Sequence, residues 1–301
     1  MPGWALKTLT GAAALPLLVG IAATAARAAD LPAAKVLPPA LAAPAAAAVP
    51  FDIAFGAKFL TDYNFRGISQ TDRNPAAQGY VELQGFDNLV YVGTFVSNVD
   101  LPTRPDAEVD LTFGVRPKLG PVAFDLGGIG YFYPGERQLV VGGVALTPRE
   151  SEFFELAGKA SYTFAEVLTV GANVFHAWDW LSTGAEGTYV SGTAKWTTPF
   201  EGLSVSGELG HYFLGRATDP GPAFDVPDYT YWNVGVGYTY KNLTVDLRYH
   251  DTDASRTECF LLTTDPSGLR NGGRSRWCNP AVVASLAVDF TASQLGIFAP
   301  R

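Results

Sequence analysis

The sequence is poor in charge, nearly without methionine and, beyond its first thirty residues, without any long apolar run. Only 17% of its 301 residues are charged while 48% are hydrophobic. That excludes a disordered acidic chain, which lacks apolar residues to bury. No stretch of ~18 apolar residues follows the N-terminus, so membrane-spanning helices are excluded. Basic residues are the minority, 21 Lys and Arg against 29 Asp and Glu, for a net charge of −8. A nucleic-acid binder is ordinarily basic, so that class is set aside. G-x-S-x-G, H-E-x-x-H and phosphate-loop motifs are missing too. What is abundant is glycine, at 32, together with 19 Phe, 13 Tyr and 6 Trp against a single Met. That balance suits many strands better than a helical bundle. The length allows one large domain or two small ones.

Lys7 precedes an apolar run, Leu9 to Thr24, which ends in Ala26-Arg27-Ala28. A charged start, a short apolar core and an A-x-A site predict a secretory signal over 1–28. The competing reading, a membrane anchor, suffers from the short run and its small-residue end. Cleavage after Ala28 would remove Lys7 and Arg27 and take the charge from −8 to −10. The mature chain would then work outside the cytoplasm, where disulfides persist. Residues 29–50 are almost only Ala, Pro, Leu and Val, with Pro at 32, 38, 39, 44 and 50. They predict an extended tether.

From Phe51 the pattern becomes period two. Phe51, Ile53, Phe55, Ala57, Phe59, Tyr63 and Phe65 share one parity, broken only by Thr61; Asp52, Lys58, Asp62, Asn64 and Arg66 share the other. Such alternation makes a strand with one apolar and one polar face. The pattern recurs, predicting strands over 51–67, 77–86, 89–100, 106–117, 121–133, 151–164, 167–180, 187–198, 202–214, 228–240, 243–254 and 280–290. Tight turns at Asp87-Asn88, Leu119-Gly120, Ala165-Glu166, Glu201-Gly202 and Lys241-Asn242 alternate with longer loops near 68–76, 101–105, 134–150, 181–186, 215–227 and 255–279. Short turns at one end and long loops at the other mark an outer-membrane barrel. The fold expected is therefore all-β: a transmembrane antiparallel up-and-down barrel of about 12 strands over 51–290, with both ends periplasmic and 291–301 as an extension. A soluble sandwich would show the same alternation, with its apolar face inward. Strand length, signal and loop rhythm favour the membrane. Aromatics near the strand ends (Tyr63, Phe65, Tyr131 to Tyr133, Trp178, Trp180, Tyr229, Tyr231, Trp232, Tyr238, Tyr240) read as interfacial girdles or as sheet packing.

The run Thr61-Asp62-Tyr63-Asn64-Phe65-Arg66-Gly67-Ile68-Ser69-Gln70-Thr71 resembles the opening motif of the TorF-type porins, the Gcw family of conserved hypothetical outer-membrane proteins. Pro75 to Gly79, Gly93 with Ser97 to Asp100, Glu108-Val109-Asp110, Tyr131 to Gly135 and Asp251 to Ser255 continue the likeness, as do Cys259, Cys278 and a strand ending in Phe290. Phe95, where the family usually has Trp, and the tail 291–301 depart from it. The resemblance implies a barrel and a pore, with no catalytic residue to carry over. A terminal strand ending at Phe290 implies recognition by the barrel-assembly machinery.

The polar parity nominates a lumen lining. Its acids are Asp52, Asp62, Glu82, Glu108, Asp110, Asp125, Glu155, Asp179, Glu208, Asp246 and Asp289; its bases are Lys58, Arg66, Arg116, Lys159, Lys195 and Arg248. Eleven acids against six bases bias an open interior toward cations, although part of the set must pair across strands. Around 8 strands pack solid and ~16 leave a wide channel, so twelve leave both a pore and a plugged lumen open. Cys259 and Cys278, the only cysteines, predict a disulfide worth ~3 kcal/mol in the chain-entropy model; neither has the neighbours of a metal pair. In the same loop Arg256, Arg270, Arg274 and Arg276 suit lipopolysaccharide phosphates, an anionic solute or simply solvent. His250 shares the polar parity and, with Asp251 or Asp253, is a weak candidate for a barrel hydrolase; His176 and His211 share the apolar one. The expected function is passive diffusion of small hydrophilic solutes, with outer-membrane lipid as the surroundings. The alternative is a plugged barrel with a surface or structural role. No pattern points to a cofactor, a metal or a particular oligomeric state.

Overall fold

The computed structural model describes residues 51–297; the expected signal and tether lie outside the described residues. Twelve long strands follow one another: β1 (Phe51–Leu60), β2 (Ala76–Gly85), β3 (Val90–Ser97), β4 (Glu108–Val115), β5 (Val122–Phe132), β6 (Phe153–Phe164), β7 (Leu168–Trp180), β8 (Ala185–Thr197), β9 (Leu203–Leu214), β10 (Tyr229–Tyr240), β11 (Leu243–Thr252) and β12 (Ala281–Thr291). Each pairs antiparallel with its neighbour in sequence, and β12 pairs with β1, from Ala54↔Thr291 to Leu60↔Ser285. The sheet is therefore a closed up-and-down barrel. Among the described residues no helix is long and apolar enough to cross a membrane.

Alternation assigns the two faces. The outward parity carries exposed apolar side chains on every strand, among them Leu83, Val92, Leu111, Leu126, Val174, Leu209, Val234, Leu247 and Val282. Tyr91, Glu108, Asp110, Glu155, Asn173, Tyr212 and His250 point inward and are buried. Apolar outside and polar inside is the sense of a membrane barrel, the reverse of a sandwich. At the seam, Phe55 and Phe290 face lipid with ring centroids 5.9 Å apart. The chain then folds back: the Ala292 amide donates to the Ile53 carbonyl at 2.8 Å, and Ser293 donates to the Asp52 carboxylate.

At the short-turn end, Ala165 and Glu166 both take left-handed dihedrals, φ 45° and 59°, and the Val167 amide closes on the Phe164 carbonyl at 2.9 Å. Such a primed two-residue turn matches the strand twist. The long-loop end departs from expectation in three places. Strand β1 ends at Leu60 rather than at residue 67, because the chain bends inward at Thr61. The register of β7 on β8 shifts between Ala177 and Trp180, so β8 starts two residues earlier than expected. The 255–279 loop holds two short helices, α1 (Arg256–Thr263) and α2 (Pro266–Arg270). A capping box between Ser255 and Glu258 starts α1, and Asp265 caps α2. Cys259 and Cys278 are joined by a disulfide, Cα atoms 5.8 Å apart.

The disulfide ties the lobe and is absent from the barrel ladder. Reduction, or Cys259→Ser/Cys278→Ser, should leave the heat-dependent gel shift of a closed barrel unchanged while making 255–279 sensitive to protease. Loss of the gel shift in that variant would show that the wall depends on the bond.

Candidate functional site

The lumen is the candidate site, and its outer half is filled from within. After Thr61 the chain turns into the barrel rather than continuing the wall. Asp62 organises this plug segment, accepting from the Ser69 and Thr71 hydroxyls and, at 3.3 Å, from the Arg73 guanidinium. Arg66 and Gly67 take left-handed dihedrals, φ 46° and 91°. A side chain at Gly67 would collide with Thr252 and Tyr231 on the wall, so the close approach needs glycine. Tyr63 reaches across to donate to Glu108 at 2.7 Å.

The centre of the plug is an ion pair. The Arg66 guanidinium donates twice to Glu155 on β6, each time at 2.7 Å, with the two side chains 3% and 0% exposed. Tyr131 and Tyr212 also donate to Glu155, at 3.1 and 3.2 Å. The guanidinium lies 4.5 to 5.0 Å from the ring centroids of Phe65, Phe175, Tyr189 and Tyr212. A planar cation suits this cage, because it forks onto the carboxylate and stacks on rings together. Above it the 255–279 lobe buries Cys259, Leu262, Trp277 and Cys278 against the same aromatic cluster.

Most of the remaining wall charges pair within the lining, Arg116 across strands and Arg248 along its own strand. Arg116 donates to both Glu82 oxygens at 2.8 Å and to Asp125 at 3.4 Å, and lies over the Tyr91 ring. Lys159 is 3.8 Å from Asp125. Arg248 holds Asp246 and donates to Asn233, which donates to Tyr231, whose hydroxyl meets His250 Nδ1 at 2.8 Å. Tyr189 donates to Glu208, and Tyr80 to Asp289. Lys58 and Lys195 also stand on the inward parity, half-buried and exposed. Asp52 keeps the inward parity of β1 at the short-turn end, where its carboxylate is taken up by Ser293, whereas Asp179, past the β7 irregularity, is exposed and accepts from the Gly184 amide.

The charge excess divides by burial. Asp62, Glu108, Asp110 and Glu155 are buried with Arg66 as the one buried base of the set. Glu82, Asp125, Glu208, Asp246 and Asp289 share the less buried lining with Lys58, Arg116, Lys159, Lys195 and Arg248. Among these nine acids and six bases the accessible lining is balanced, five against five, and an excess of three acids lies in the plugged layer; Asp52, at the short-turn end, and Asp179 make up the other two.

Sequence reasoning missed the inward tyrosines. Tyr63, Tyr131, Tyr133, Tyr229 and Tyr231 are buried inside the barrel, whereas Trp178, Tyr238 and Tyr240 are on its outer face. For Tyr131 and Tyr133 the parity shared with Asp125 carried that information; Tyr63 stands on the parity opposite Asp62, so alternation pointed it outward. The hydrolase pairing is not assembled: Asp251 accepts from Tyr249 and Asp253 from the Thr230 amide, while His250 faces Tyr231. His176 and His211 lie on the outward parity, bonded to Thr188 and Thr230. Among the described residues no three His, Cys, Asp or Glu group as a metal site requires.

With that geometry in view, a family described as a bacterial protein of unknown function, Gcw_chp, matches residues 44–277. The chain belongs to this family. No curated protein matches it. Among solved structures similar to this Gcw_chp chain is an outer membrane channel from Pseudomonas putida F1, with 12% identity, TM-score 0.47, and 82% of this chain and 97% of that one covered. The NanC porin is similar at 12% identity and TM-score 0.46, covering 80% and 98%. The KdgM porin is similar at 9% identity and TM-score 0.43, covering 79% and 98%.

Removing one partner of a buried pair strands the other charge, at a cost of about 3–5 kcal/mol. Arg66→Met alone should therefore destabilise the folded protein by that order in urea titrations in micelles. Arg66→Met/Glu155→Met should recover much of the loss. Additive losses from the two single substitutions would show that the pair is not coupled.

Proposed function

We propose that the protein is a porin-like channel of a Gram-negative-type outer membrane, reached by export through the periplasm, for passive passage of small hydrophilic solutes. The observation that carries this reading is the closed twelve-strand wall with an apolar exterior and a lining of paired charges. Lipid demands such closure, and charged groups along the less buried lining suit water and hydrophilic solutes. The plug segment 61–75 then acts as the obstruction that must move for passage. A second reading, a barrel with a structural or surface role, is favoured by the burial of Arg66 on Glu155.

Ion preference follows from the division of charges. The accessible lining is balanced, so brief openings that leave the plug core in place should select weakly. Displacing Arg66 exposes Glu108, Asp110 and Glu155, and acids lining a low-dielectric wall gather cations. Planar-bilayer recordings separate the readings. Wild type should show low, intermittent conductance, and Arg66→Ala/Glu155→Ala should open for longer. A variant that removes Arg66 but keeps Glu155, Arg66→Ala, should shift the reversal potential toward cations, fading near 1 M salt, where screening is ~3 Å. Silence from both wild type and the double variant, with insertion verified by the gel shift, would overturn the channel and leave the second reading.

A further inference from the structure

The exposed side of the 255–279 lobe carries charge that no side chain among the described residues pairs with. Arg256, Arg270, Arg274 and Arg276 are all exposed, and among the described residues none enters an ion pair or a side-chain hydrogen bond. The backbone gathers them. Ser275 is fully buried with its hydroxyl on Asp265, so its neighbours Arg274 and Arg276 both point away from the protein. The Ser275 amide donates to the Arg256 carbonyl at 2.9 Å, which brings the start of α1 beside them. Gly268 packs close to the Arg274 carbonyl, setting the end of α2 and Arg270 nearby. Acids of this region are turned to internal work instead. Glu258 caps α1 at Ser255, whose hydroxyl and then amide hold its carboxyl below the usual range. Asp265 accepts from Ser267 and Ser275, and Asp72 from the Trp277 indole. The disulfide and the two caps make the platform rigid, so little ordering is left to be done on binding.

Two exposed leucines, Leu261 on α1 and Leu269 on α2, belong to the same lobe. Guanidinium groups beside apolar side chains suit an amphiphile bearing phosphate better than a purely hydrophilic anion. The position agrees. Arg256 follows the end of β11 by four residues and Arg276 precedes β12 by five, within roughly 15 Å of the wall at ~3.3 Å per extended residue. That is the reach of the headgroup zone. We infer that the lobe is a docking surface for the phosphate-bearing glycolipid of the outer leaflet, held by Arg256, Arg270, Arg274 and Arg276. The inference needs the barrel in its membrane but not conduction.

The test is native mass spectrometry of the full barrel released from nonionic micelles with bisphosphorylated lipid A, with the same lipid stripped of phosphate, and with soluble tripolyphosphate. Wild type should retain the bisphosphorylated lipid about tenfold or more better than Arg256→Gln/Arg270→Gln/Arg274→Gln/Arg276→Gln, and better than the stripped lipid by a similar factor. Leu261→Gln/Leu269→Gln should weaken retention less. Equal retention by wild type and the arginine variant would overturn the inference. So would displacement of lipid A by an equal concentration of tripolyphosphate, which would make the lobe a site for soluble anions. The gel shift of each unboiled sample verifies the barrel, so a failure of the membrane reading is recognised separately.

Discussion

Hydrocarbon offers no partner to a backbone amide, and every other feature of this protein follows from the need to pair them all. An open sheet would leave two rows of N–H and C=O groups in lipid, each unpaired group costing several kcal/mol. Pairing β12 on β1 removes both rows. Closure in turn forces the alternating pattern, since each strand now has one face toward lipid and one toward the lumen. It also creates an enclosed interior that the chain must furnish. Glycine helps to furnish it: a side chain at Gly210 would strike the Tyr189 hydroxyl, and one at Gly114 would meet the Tyr91 hydroxyl at 2.6 Å. Inward tyrosines occupy the space that their glycine neighbours leave.

The lumen is furnished with charge, which is costly unless each group finds partners. Tyrosine is the residue that makes this work. Its hydroxyl donates to Glu108, Asp125, Glu155, Glu208 and Asp289 from Tyr63, Tyr91, Tyr131 and Tyr212, Tyr189 and Tyr80. A tyrosine brings a donor without adding a cation, so acids can outnumber bases and still be satisfied. Its ring also offers a face to Arg66 and Arg116. The same residue type therefore serves both signs of charge.

Strand positions were legible because lipid and lumen impose opposite polarities on alternate residues. Most expected strand ends lie within a few residues of the observed ones, from Val122–Phe132 to Leu243–Thr252. The error at 61–67 has a physical cause. Asp62, Asn64 and Arg66 continue the alternation of β1, but the plug meets polar and aromatic wall on both sides, so the pattern persists outside the wall, where Asn64–Phe65 pairs only with Ile68–Ser69. Asp179 failed for another reason: an irregularity after Ala177 resets parity, and period two gives no sign of it. The helices of the 255–279 lobe were hidden by shortness, eight and five residues, below what a periodicity can reveal. The capping box Ser255-x-x-Glu258 was there to be read. Aromatics were misplaced because a girdle and a lumen both use tyrosine, and only parity distinguishes them.

The plug and the lobe are one mechanical unit. The Arg73 guanidinium donates to the carbonyls of Arg276, Trp277 and Asn279, the Trp277 indole donates to Asp72 at 2.7 Å, and the Ser69 amide to the Trp277 carbonyl at 3.0 Å. Burial holds Arg73 below the usual guanidinium range, with Asp62 opposing that shift. A net contribution of about 1.5–3 kcal/mol for each charge-assisted bond makes separating plug from lobe costly. Moving both together breaks instead the Arg66 pair and the aromatic packing beneath it. Arg66 has one salt-bridge partner, on the wall, while Arg73 has its partners within the unit. Plug and wall are joined by Arg66–Glu155, by Tyr63–Glu108 and by the ring cage, with Arg66–Glu155 as their one salt bridge among the described residues. A lobe that is held to the membrane surface would then resist outward movement of the plug, so lipid attachment and passage through the lumen would act on the same element from opposite sides.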